Sequence, residues 1–473
     1  MARYAYERLS HDGASLLELE TSRVFAHSGT TLILEPGPLA RPDGGVDFEA
    51  ICTAIESRLH QVPAYRRKLS WIPIEKHPVW VDDHEFNLGY HIRHTSLPRP
   101  GSMRQLRRLA ARVQAQRLDR SRPLWEYWVA EGLEAGRFAL ITKTHAALME
   151  STGADLLQAL LSPEPDAVFE EPPPFRPQPM PAMAELIRDE LLRQARLPRL
   201  AWKRLRSLAS SEELAREAGR QVRRLARMLG YSLRGVPDSP LNGPVGPHRR
   251  FDHLVLPLED AKKIRRQLGG TILDVVLAIV TGAVARYMHA HYVNPATLDF
   301  RVAVPVGLQS DDGRVPVTEW VLELPIWESD PLKRFERIRK RTEGLGREHA
   351  VRGADEMFGG EAWTLSDMPA EGARALLSRT SANLRVANVP CPQAPLYLNG
   401  ARVVECYGKL PLPANGGLGI AVYGYEGKLC WGLNADFDLV PDLARFTKGL
   451  GESHRELMRA AEGAAPLGLV RVS

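Results

Sequence analysis

The chain has 473 residues, enough for roughly two to four domains of ordinary size. Its hydrophobic fraction of 44% and charged fraction of 25% exclude extensive disorder. Lys and Arg number 62 against 57 Asp and Glu, and this net charge of +5 gives no indication of a nucleic-acid-binding protein.

The first 162 residues are predicted to form a lobe of mixed α/β structure. Short β-branched and apolar runs between turn residues predict buried strands, and apolar residues at helical spacing predict helices. The strands are expected at Gly29–Leu34 and Phe138–Thr142, and the helices at Phe48–Leu59 and Met103–Gln116. A further helix is expected to begin just after His145 and to continue to Leu161.

Residues 163–245 are predicted to connect two lobes. Pro163–Pro181 is rich in proline and should be extended. Residues 182–235 read as helices broken at Pro198, and from Arg188 to Arg234 they hold 13 basic and 5 acidic residues, a net charge of +8. Two interpretations stay open: surface helices with a solvated Arg face, or attachment to anionic lipid headgroups.

Residues 246–473 are predicted to form a second mixed lobe. Its expected strands are Phe251–Leu256, Phe300–Val306, Arg402–Cys406, Leu418–Val422 and Lys428–Ala435, and its expected helices are Ile272–Ala285, Asp330–Lys340 and Pro441–Ala461. The nearly all-apolar helix Ile272–Ala285 should be buried, since it is too short for a membrane span of about 20 residues. Asp274 inside it is either a hydrogen-bonded structural residue or part of a tunnel floor.

The four cysteines are Cys52, Cys391, Cys406 and Cys430, and no two of them form a Cys-x-x-Cys pair. Neither a zinc site nor a disulfide framework is predicted, and no other metal-ligand spacing is present. The N-terminal residues lack the apolar core of a signal peptide. A reducing, cytoplasmic interior is therefore the expected location.

The stretch RFALITKTHAALMESTG is the most informative for chemistry. His145 follows a predicted strand, and a histidine at a strand end can face a cleft and exchange protons near neutral pH. Glu150 and Asp155 follow closely, and either carboxylate could orient the imidazole. A single histidine in this position is also often a satisfied structural residue.

Many ordered segments of the chain resemble the wax ester synthase/diacylglycerol acyltransferase family of bacterial lipid enzymes. They include Asp12, Glu20–Thr21 and His27–Gly29 near the N-terminus, and further matching segments lie at Pro78–Gly101, Ser121–Leu133, Leu273–Met288, Arg301–Ser310, Asp330–Arg339, Ala387–Val403 and Gly432–Leu443. The resemblance implies the fold of chloramphenicol acetyltransferase-like, CoA-dependent acyltransferases. Two such lobes would enclose a tunnel.

The family's active-site signature is HHxxxDG with a Lys two residues before it, and its second His is the general base. Carried over, Lys143 matches the Lys, His145 the first His, Ala146 the base, Glu150 the Asp and Ser151 the Gly. An alanine methyl cannot accept a proton, so the base is missing. Other departures place Leu273 where the family usually has Asn, and Gln309 where it has Arg.

The resemblance implies acyl transfer from acyl-CoA to a hydroxyl of diacylglycerol or a fatty alcohol, with no cofactor other than acyl-CoA as substrate. His145 and Glu150 are the predicted catalytic residues. Lys143, Ser151, Asp274 and Asn388 are the predicted substrate contacts, with Asn388–Pro390 expected to be a loop between the lobes.

Three alternatives remain open at this stage. The base could be rearranged onto His145 or Glu150. The chain could instead be a degenerate family member that binds acyl-CoA or neutral lipid without turnover. It could also be a peripheral protein of the inner membrane leaflet or of lipid droplets, attached through residues 182–235. No metal or nucleic-acid partner is expected.

Overall fold

The structure is a computed structural model that describes residues 6–73, 75–152, 155–167, 171–193, 236–307, 317–350 and 382–463. Its strands are β1 Tyr6–Arg8, β2 His27–Glu35, β3 Arg67–Trp71, β4 Pro78–Asp82, β5 Ile92–Ser96, β6 Trp125–Leu133, β7 Arg137–His145, β8 Arg249–Pro257, β9 Arg301–Gly307, β10 Val317–Glu323, β11 Leu384–Pro390, β12 Tyr397–Leu398, β13 Ala401–Lys409, β14 Leu418–Tyr425 and β15 Lys428–Asp436. Its helices are α1 His11–Leu19, α2 Phe48–Arg58, α3 Leu88–His91, α4 Met103–Ala115, α5 Ala146–Thr152, α6 Leu156–Leu160, α7 183–193, α8 Leu258–Leu268, α9 Ile272–Ala290, α10 Pro331–Ala350 and α11 Leu443–Gly463.

Two six-stranded sheets organise the chain, which confirms the predicted mixed α/β class. The first has the order β12-β13-β2-β7-β6-β5, and the second has the order β10-β9-β11-β14-β15-β8. A small sheet, β1-β4-β3, lies beside the first. Each large sheet has its own apolar core, because the residues of its inner face and the helices that cover it are buried together.

Strand β13 is an exception to the predicted lobe boundary at residue 246. It pairs antiparallel with β2 and, together with the short strand β12, belongs to the first sheet, although β11 before this pair and β14 after it belong to the second. β2 carries the buried residues Leu32, Ile33 and Leu34. Without β13 it would be an unpaired edge, so the crossing strand completes the first sheet.

The two sheets meet where β13 passes β15. A Cβ atom added to Gly432 would lie 2.1 Å from the carbonyl oxygen of Gly408, so the two backbones touch. Helix α4 also crosses to the second lobe, where Arg107 forms an ion pair with the buried Asp252 of β8. Thr447 of α11 donates to the other oxygen of Asp252 (2.8 Å). The junction between the lobes is therefore packed and charge-paired.

Helix α9 is the core helix of the second lobe and is longer than predicted, with 19 residues. Its length and composition would allow it to cross a membrane, yet its most apolar window is 72% buried inside the protein. A helix in the core of a protein can be as long and as apolar as a membrane-spanning helix, so length and composition alone do not indicate a membrane span. The expected burial of Ile272–Ala285 is confirmed.

Two predictions about helices need correction. The helix after β7 does not continue to Leu161: α5 ends at Thr152, and Asp155 has an extended backbone (φ −94°, ψ 138°) and caps a separate helix, α6. In the basic segment, α7 packs Leu186 onto the small sheet beside Ile72 and Val79, which agrees with the surface-helix interpretation for residues 183–193. Residues 194–235 lie outside the described residues.

Candidate active site

The predicted site lies where β7 ends and α5 begins. His145 is the last residue of β7 and lies opposite His27 of β2 in the antiparallel ladder. The backbone N–H of Ala146 donates to the carbonyl of Ala26 (2.8 Å), and that of His145 donates to Leu124 (3.0 Å). The junction is therefore held on both sides by backbone hydrogen bonds, which fixes the direction of each side chain.

The His145 imidazole is buried and uses both of its nitrogens within the protein. Nδ1 accepts a hydrogen bond from the backbone N–H of Ala147 (3.1 Å), so the ring proton lies on Nε2. Nε2 lies 3.0 Å from Oε1 of Glu20, to which it donates. His145 is only 1% exposed. Because neither nitrogen is free, His145 in this arrangement cannot take a proton from a substrate.

Glu20 is the partner that holds His145. Its carboxylate also accepts from Arg120 (2.8 Å) and from the backbone N–H of Ala26 (3.0 Å). Burial acts to raise the pKa of Glu20, but the hydrogen bonds from His145 and Arg120 are among the interactions that outweigh it and lower the pKa to about 2. The group is therefore a fixed carboxylate that orients the imidazole, and it is a very weak base.

His27 completes a buried cluster with Glu20 and His145. Its Nε2 lies 3.7 Å from Glu20, and its ring meets that of His145 edge-on, with 5.9 Å between centroids. Within the described residues neither ring nitrogen of His27 has a hydrogen-bond partner. Burial lowers the pKa of His27 well below its usual value, and the charge of Lys143 adds to this, so the ring is neutral.

Lys143 has a structural role in this arrangement. Its amine is fully buried and donates to the carbonyls of Val113 (3.2 Å) and Gln116 (3.1 Å) at the end of α4, and it pairs with Glu126 (3.2 Å). These contacts satisfy carbonyls that a helix end leaves open. The prediction that Lys143 contacts substrate is therefore corrected, since the protein encloses and uses its amine.

Ala146, at the family's base position, is half-buried at the start of α5. Ala146 is the first residue of α5, directly after the last strand residue, His145. Glu150 and Ser151 lie on the same helix, but their side chains are outside the described part of the structure, and their roles stay predictions. Glu150 comes four residues after Ala146, which places both on one face of α5.

Asp155 does not orient His145. It accepts a hydrogen bond from the hydroxyl of the buried Tyr65 (2.7 Å) and caps α6 through the N–H of Leu157. Burial and the charge of Asp155 raise the pKa of Tyr65, so the phenol stays protonated. The carboxylate that orients the imidazole is Glu20, which the sequence reasoning did not select. The two residues of that pair are 125 positions apart in the chain.

Asp274 is buried and hydrogen-bonded, as the structural alternative expected. One carboxylate oxygen accepts from the backbone N–H (2.7 Å) and the hydroxyl (2.8 Å) of Thr271, and the other accepts from Thr342 (2.5 Å). This is a capping box, which satisfies the first turn of α9. Leu273 beside it is partly buried against the core of the second lobe.

Asn388 lies in a strand and not in the predicted loop. It belongs to β11 and pairs with Val422 of β14, while Val389 and Pro390 continue the same ladder. Its side chain is half-buried. A contact with acyl-CoA stays a prediction. Gln309, at the position of the family's Arg, lies outside the described residues.

Sequence reasoning missed Glu20, His27 and Arg120 as site residues, although Glu20 and His27 belong to the N-terminal segment that carries the family resemblance. A buried ion pair between two distant segments has no local pattern. The available signal was that a short stretch before the first buried strand contains both an acidic residue and a histidine at the family's positions.

Comparison with known proteins identifies the family. A family model for the wax ester synthase/diacylglycerol acyltransferase catalytic domain matches residues 9–276, and the model for the C-terminal domain of that family matches residues 317–458. A Mycobacterium tuberculosis H37Rv relative, whose name assigns it to the diacylglycerol O-acyltransferases, is 31% identical over 478 residues, which cover 97% of this chain and 91% of the relative.

Solved structures show the same fold. The wax ester synthase/diacylglycerol acyltransferase from Marinobacter aquaeolei VT8 has a TM-score of 0.68 at 22% identity, with 96% of this chain and 100% of that chain covered. The first condensation domain of the calcium-dependent antibiotic synthetase has a TM-score of 0.54 at 16% identity, with 98% and 99% covered. The predicted two-lobe acyltransferase fold is confirmed, and the chain belongs to the wax ester synthase/diacylglycerol acyltransferase family.

Proposed function

We propose that the protein transfers an acyl group from acyl-CoA to a hydroxyl group of diacylglycerol or of a fatty alcohol. The observation that supports this most directly is that the two family models span both lobes, including the β7–α5 junction. The acyl donor and the lipid acceptor are the substrates that the family's name implies. The reaction needs no other cofactor, since the thioester already activates the acyl group.

Acyl transfer requires a group that accepts the proton of the attacking hydroxyl. Ala146 cannot do so, and both nitrogens of His145 are engaged by Ala147 and Glu20. Glu150 is our candidate, because it shares a face of α5 with Ala146 and lies one turn further on. A positioned base contributes about 10²–10⁴-fold to such a step. We assign this role to Glu150 and the orienting roles to His145 and Glu20.

A second candidate function rests on the methyl group at residue 146. A member of the family without a base would bind acyl-CoA or neutral lipid between its lobes and release it unchanged. The two hydrogen bonds of the His145 ring favour this alternative, because they engage both nitrogens and so prevent His145 from acting as the base in place of residue 146. The strands around it, including the crossing strand β13, still pair into the six-stranded first sheet.

One experiment separates the two functions. The purified chain is incubated with palmitoyl-CoA and either diolein or hexadecanol, and the ester product is measured by mass spectrometry. The acyltransferase proposal predicts ester formation that falls by about 100-fold or more in Glu150→Gln. A matched control is Glu18→Gln, an exposed acidic residue on α1, which should leave the rate unchanged.

Absence of ester from the wild-type chain, together with acyl-CoA binding measured by calorimetry, would replace the first proposal with the second. In that case the double variant Ala146→His plus Glu150→Asp restores the family signature at two positions and should produce ester. Absence of both ester and binding would contradict both proposals.

We also propose that α7 and the basic residues after it attach the protein to an anionic membrane or lipid-droplet surface from the cytoplasmic side. Support comes from the exposed apolar side chains Met180 (59%), Met183 (68%) and Leu191 (62%) and from the net charge of +8 between Arg188 and Arg234. Flotation with vesicles containing anionic lipid should recover the protein at low salt and less of it at high salt. Equal recovery with neutral vesicles would contradict this.

A further inference from the structure

Helix α4 carries an arginine stripe that the candidate active site does not use. Arg104, Arg108 and Arg112 are spaced four residues apart, so they share one face of the helix and are spread over about 12 Å along its axis. All three residues are exposed. Within the described part of the chain, none of their guanidinium groups forms an ion pair or a hydrogen bond. The stripe is therefore a row of positive charges that is open to a ligand.

The composition of α4 distinguishes it from the other basic helices that the structure describes. Its 13 residues include four arginines and no Asp or Glu. Helices α7, α8, α10 and α11 also carry basic residues, but each of them forms ion pairs with acidic residues of the same helix. Like charges at a spacing of four residues weaken a helix. The stripe therefore reduces the stability of α4, and a bound anion would offset this cost.

The rotation of α4 about its axis is fixed by its contacts with both lobes. Its fourth arginine, Arg107, forms an ion pair with the buried Asp252 of β8 in the second lobe. Leu106, Leu109 and Val113 are buried in the apolar core of the first lobe. The arginine that meets the protein thus has a carboxylate partner, whereas the stripe is held towards solvent.

The end of α4 lies against the candidate active site. Gln114, in the last turn of the helix, donates a hydrogen bond to the backbone carbonyl of His27 (2.7 Å). Just after the helix, the guanidinium of Arg117 lies 3.9 Å from the carboxylate of Glu20, which holds His145. Helix α4 therefore extends from β8 of the second lobe to the strand end at His145, and the stripe follows the same direction.

We propose that Arg104, Arg108 and Arg112 bind the phosphate groups of the CoA moiety of acyl-CoA. The inference rests on the proposed function, in which acyl-CoA is the acyl donor. A guanidinium group can donate two parallel hydrogen bonds to one phosphate, and CoA carries a diphosphate and a 3′-phosphate that can contact neighbouring arginines together. The nucleotide then stays at the surface, and the thioester arm extends along α4 towards His145. The position of the stripe beside the site favours this ligand over an anionic membrane surface.

The test measures ligand binding to the full chain by calorimetry, so it does not depend on turnover. The ligands are decanoyl-CoA and decanoyl-pantetheine, which share the acyl chain and the thioester but differ in the phosphates. We expect the double variant Arg108→Gln plus Arg112→Gln to bind decanoyl-CoA about 10-fold more weakly than the wild type, since each exposed pair of opposite charges changes an equilibrium by up to about fivefold. Decanoyl-pantetheine should bind equally well to both proteins.

The matched control is Arg455→Gln plus Arg459→Gln, which removes two exposed arginines four residues apart on α11. It should bind decanoyl-CoA as the wild type does. Added salt should weaken decanoyl-CoA binding more in the wild type than in the α4 variant. Because the α4 variant removes like charges from an exposed face, its thermal unfolding temperature should equal or exceed that of the wild type, which separates a loss of binding from misfolding.

Equal affinity of the wild type and the α4 variant for decanoyl-CoA would overturn the inference and leave the proposed function in place. An equal loss of affinity for both ligands would also overturn it, because pantetheine has no phosphate. If the α4 variant instead loses only its attachment to vesicles that contain anionic lipid, the stripe contacts a membrane and the inference is wrong. A wild type that binds neither ligand would overturn the inference together with the acyl-CoA binding on which the proposed function depends.

Discussion

The two lobes differ in how well the buried ionisable side chains near their central elements are hydrogen-bonded. The first encloses Glu20, Lys143 and Lys409 against β2, β7 and β13, together with His27, whose ring nitrogens have no hydrogen-bond partner among the described residues. In the second, the core helix α9 buries Asp274, and Thr271 and Thr342 satisfy both oxygens of that carboxylate. The second arrangement stabilises a helix. The first keeps polar groups buried beside the position of the family's base.

Lys409 shows the difference most clearly. Its amine is buried, and within the described part of the chain it donates to the hydroxyl of Thr31 (3.1 Å) and has no carboxylate as a salt-bridge partner. Burial, and to a smaller extent the charge of Lys143, lower the pKa of Lys409 to about 7. A lone amine of this kind reduces the stability of the fold unless it loses its proton. Lys409 therefore carries an electrostatic cost that Asp274 in the second lobe does not, because both oxygens of Asp274 accept hydrogen bonds.

The largest expected effect comes from breaking the cluster of the first lobe. Glu20→Ala removes the acceptor of His145, of Arg120 and of the Ala26 N–H at once, and it leaves the half-buried Arg120 guanidinium and the buried His145 imidazole without their carboxylate. Removing one member of a buried charged pair typically costs 3–5 kcal/mol, so we expect a loss of about 4 kcal/mol in the free energy of unfolding. Urea denaturation at neutral pH measures it.

Two controls accompany this prediction. Glu18→Ala changes an exposed residue of α1 and should alter stability by less than about 0.5 kcal/mol. The pKa of Glu20 is about 2 in the folded protein against 4.5 ordinarily, so its stabilising effect is complete above pH 4.5 and is lost as pH falls towards 2. Glu20→Ala should lack that part of the acid dependence, and an unchanged acid profile would contradict the assignment.

The junction between the lobes gives the next largest effect. Gly432→Ala would place a methyl group 2.1 Å from the Gly408 carbonyl oxygen, which is closer than atoms can approach, so the two strands must separate. We expect a loss of about 3 kcal/mol, at the upper end of the usual cost of overpacking. Gly451→Ala, in α11 with open space around its Cβ, is the matched control and should be neutral or slightly stabilising. Equal stability of both variants would mean that the lobes can part freely.

A third effect appears in the pH dependence of stability. Because Lys409 is neutral above about pH 7 when folded but protonated up to about pH 10.5 when unfolded, it makes stability rise between those values. The slope approaches ~1.4 kcal/mol per pH unit, so the wild type should gain about 2 kcal/mol from pH 7.5 to 9. Lys409→Met should lose this rise, whereas the exposed Lys448→Met should keep it. If the stability of Lys409→Met still rises with pH in this range, the Lys409 amine of the wild type has an ordinary pKa.

The two lobes also differ in how far their sequence predicts them. Burial of α9 follows from a nearly all-apolar run, and Thr271 three residues before Asp274 is the local signature of a capping box. The end of the strand at His145 can likewise be predicted from neighbouring residues alone. The Glu20–His145 hydrogen bond and the burial of Lys409 cannot be predicted from a local pattern. Each brings together segments that lie more than 100 residues apart in the sequence. Only the path of the chain brings these groups together, as it does the crossing strand β13.

The smallest expected effect tests the capping box formed by Thr271 and Asp274 in the second lobe. Thr271→Ala removes the side-chain acceptor for the Asp274 N–H and one donor to its carboxylate, and loss of such a cap costs about 1 kcal/mol. Thermal unfolding measures the change, with the exposed Thr53→Ala of α2 as its control. Acyl-CoA binding should be the same in both variants, because Asp274 directs both oxygens to the protein. If Thr271→Ala weakens acyl-CoA binding while Thr53→Ala does not, the Asp274 carboxylate belongs to the ligand path and its burial is not merely structural.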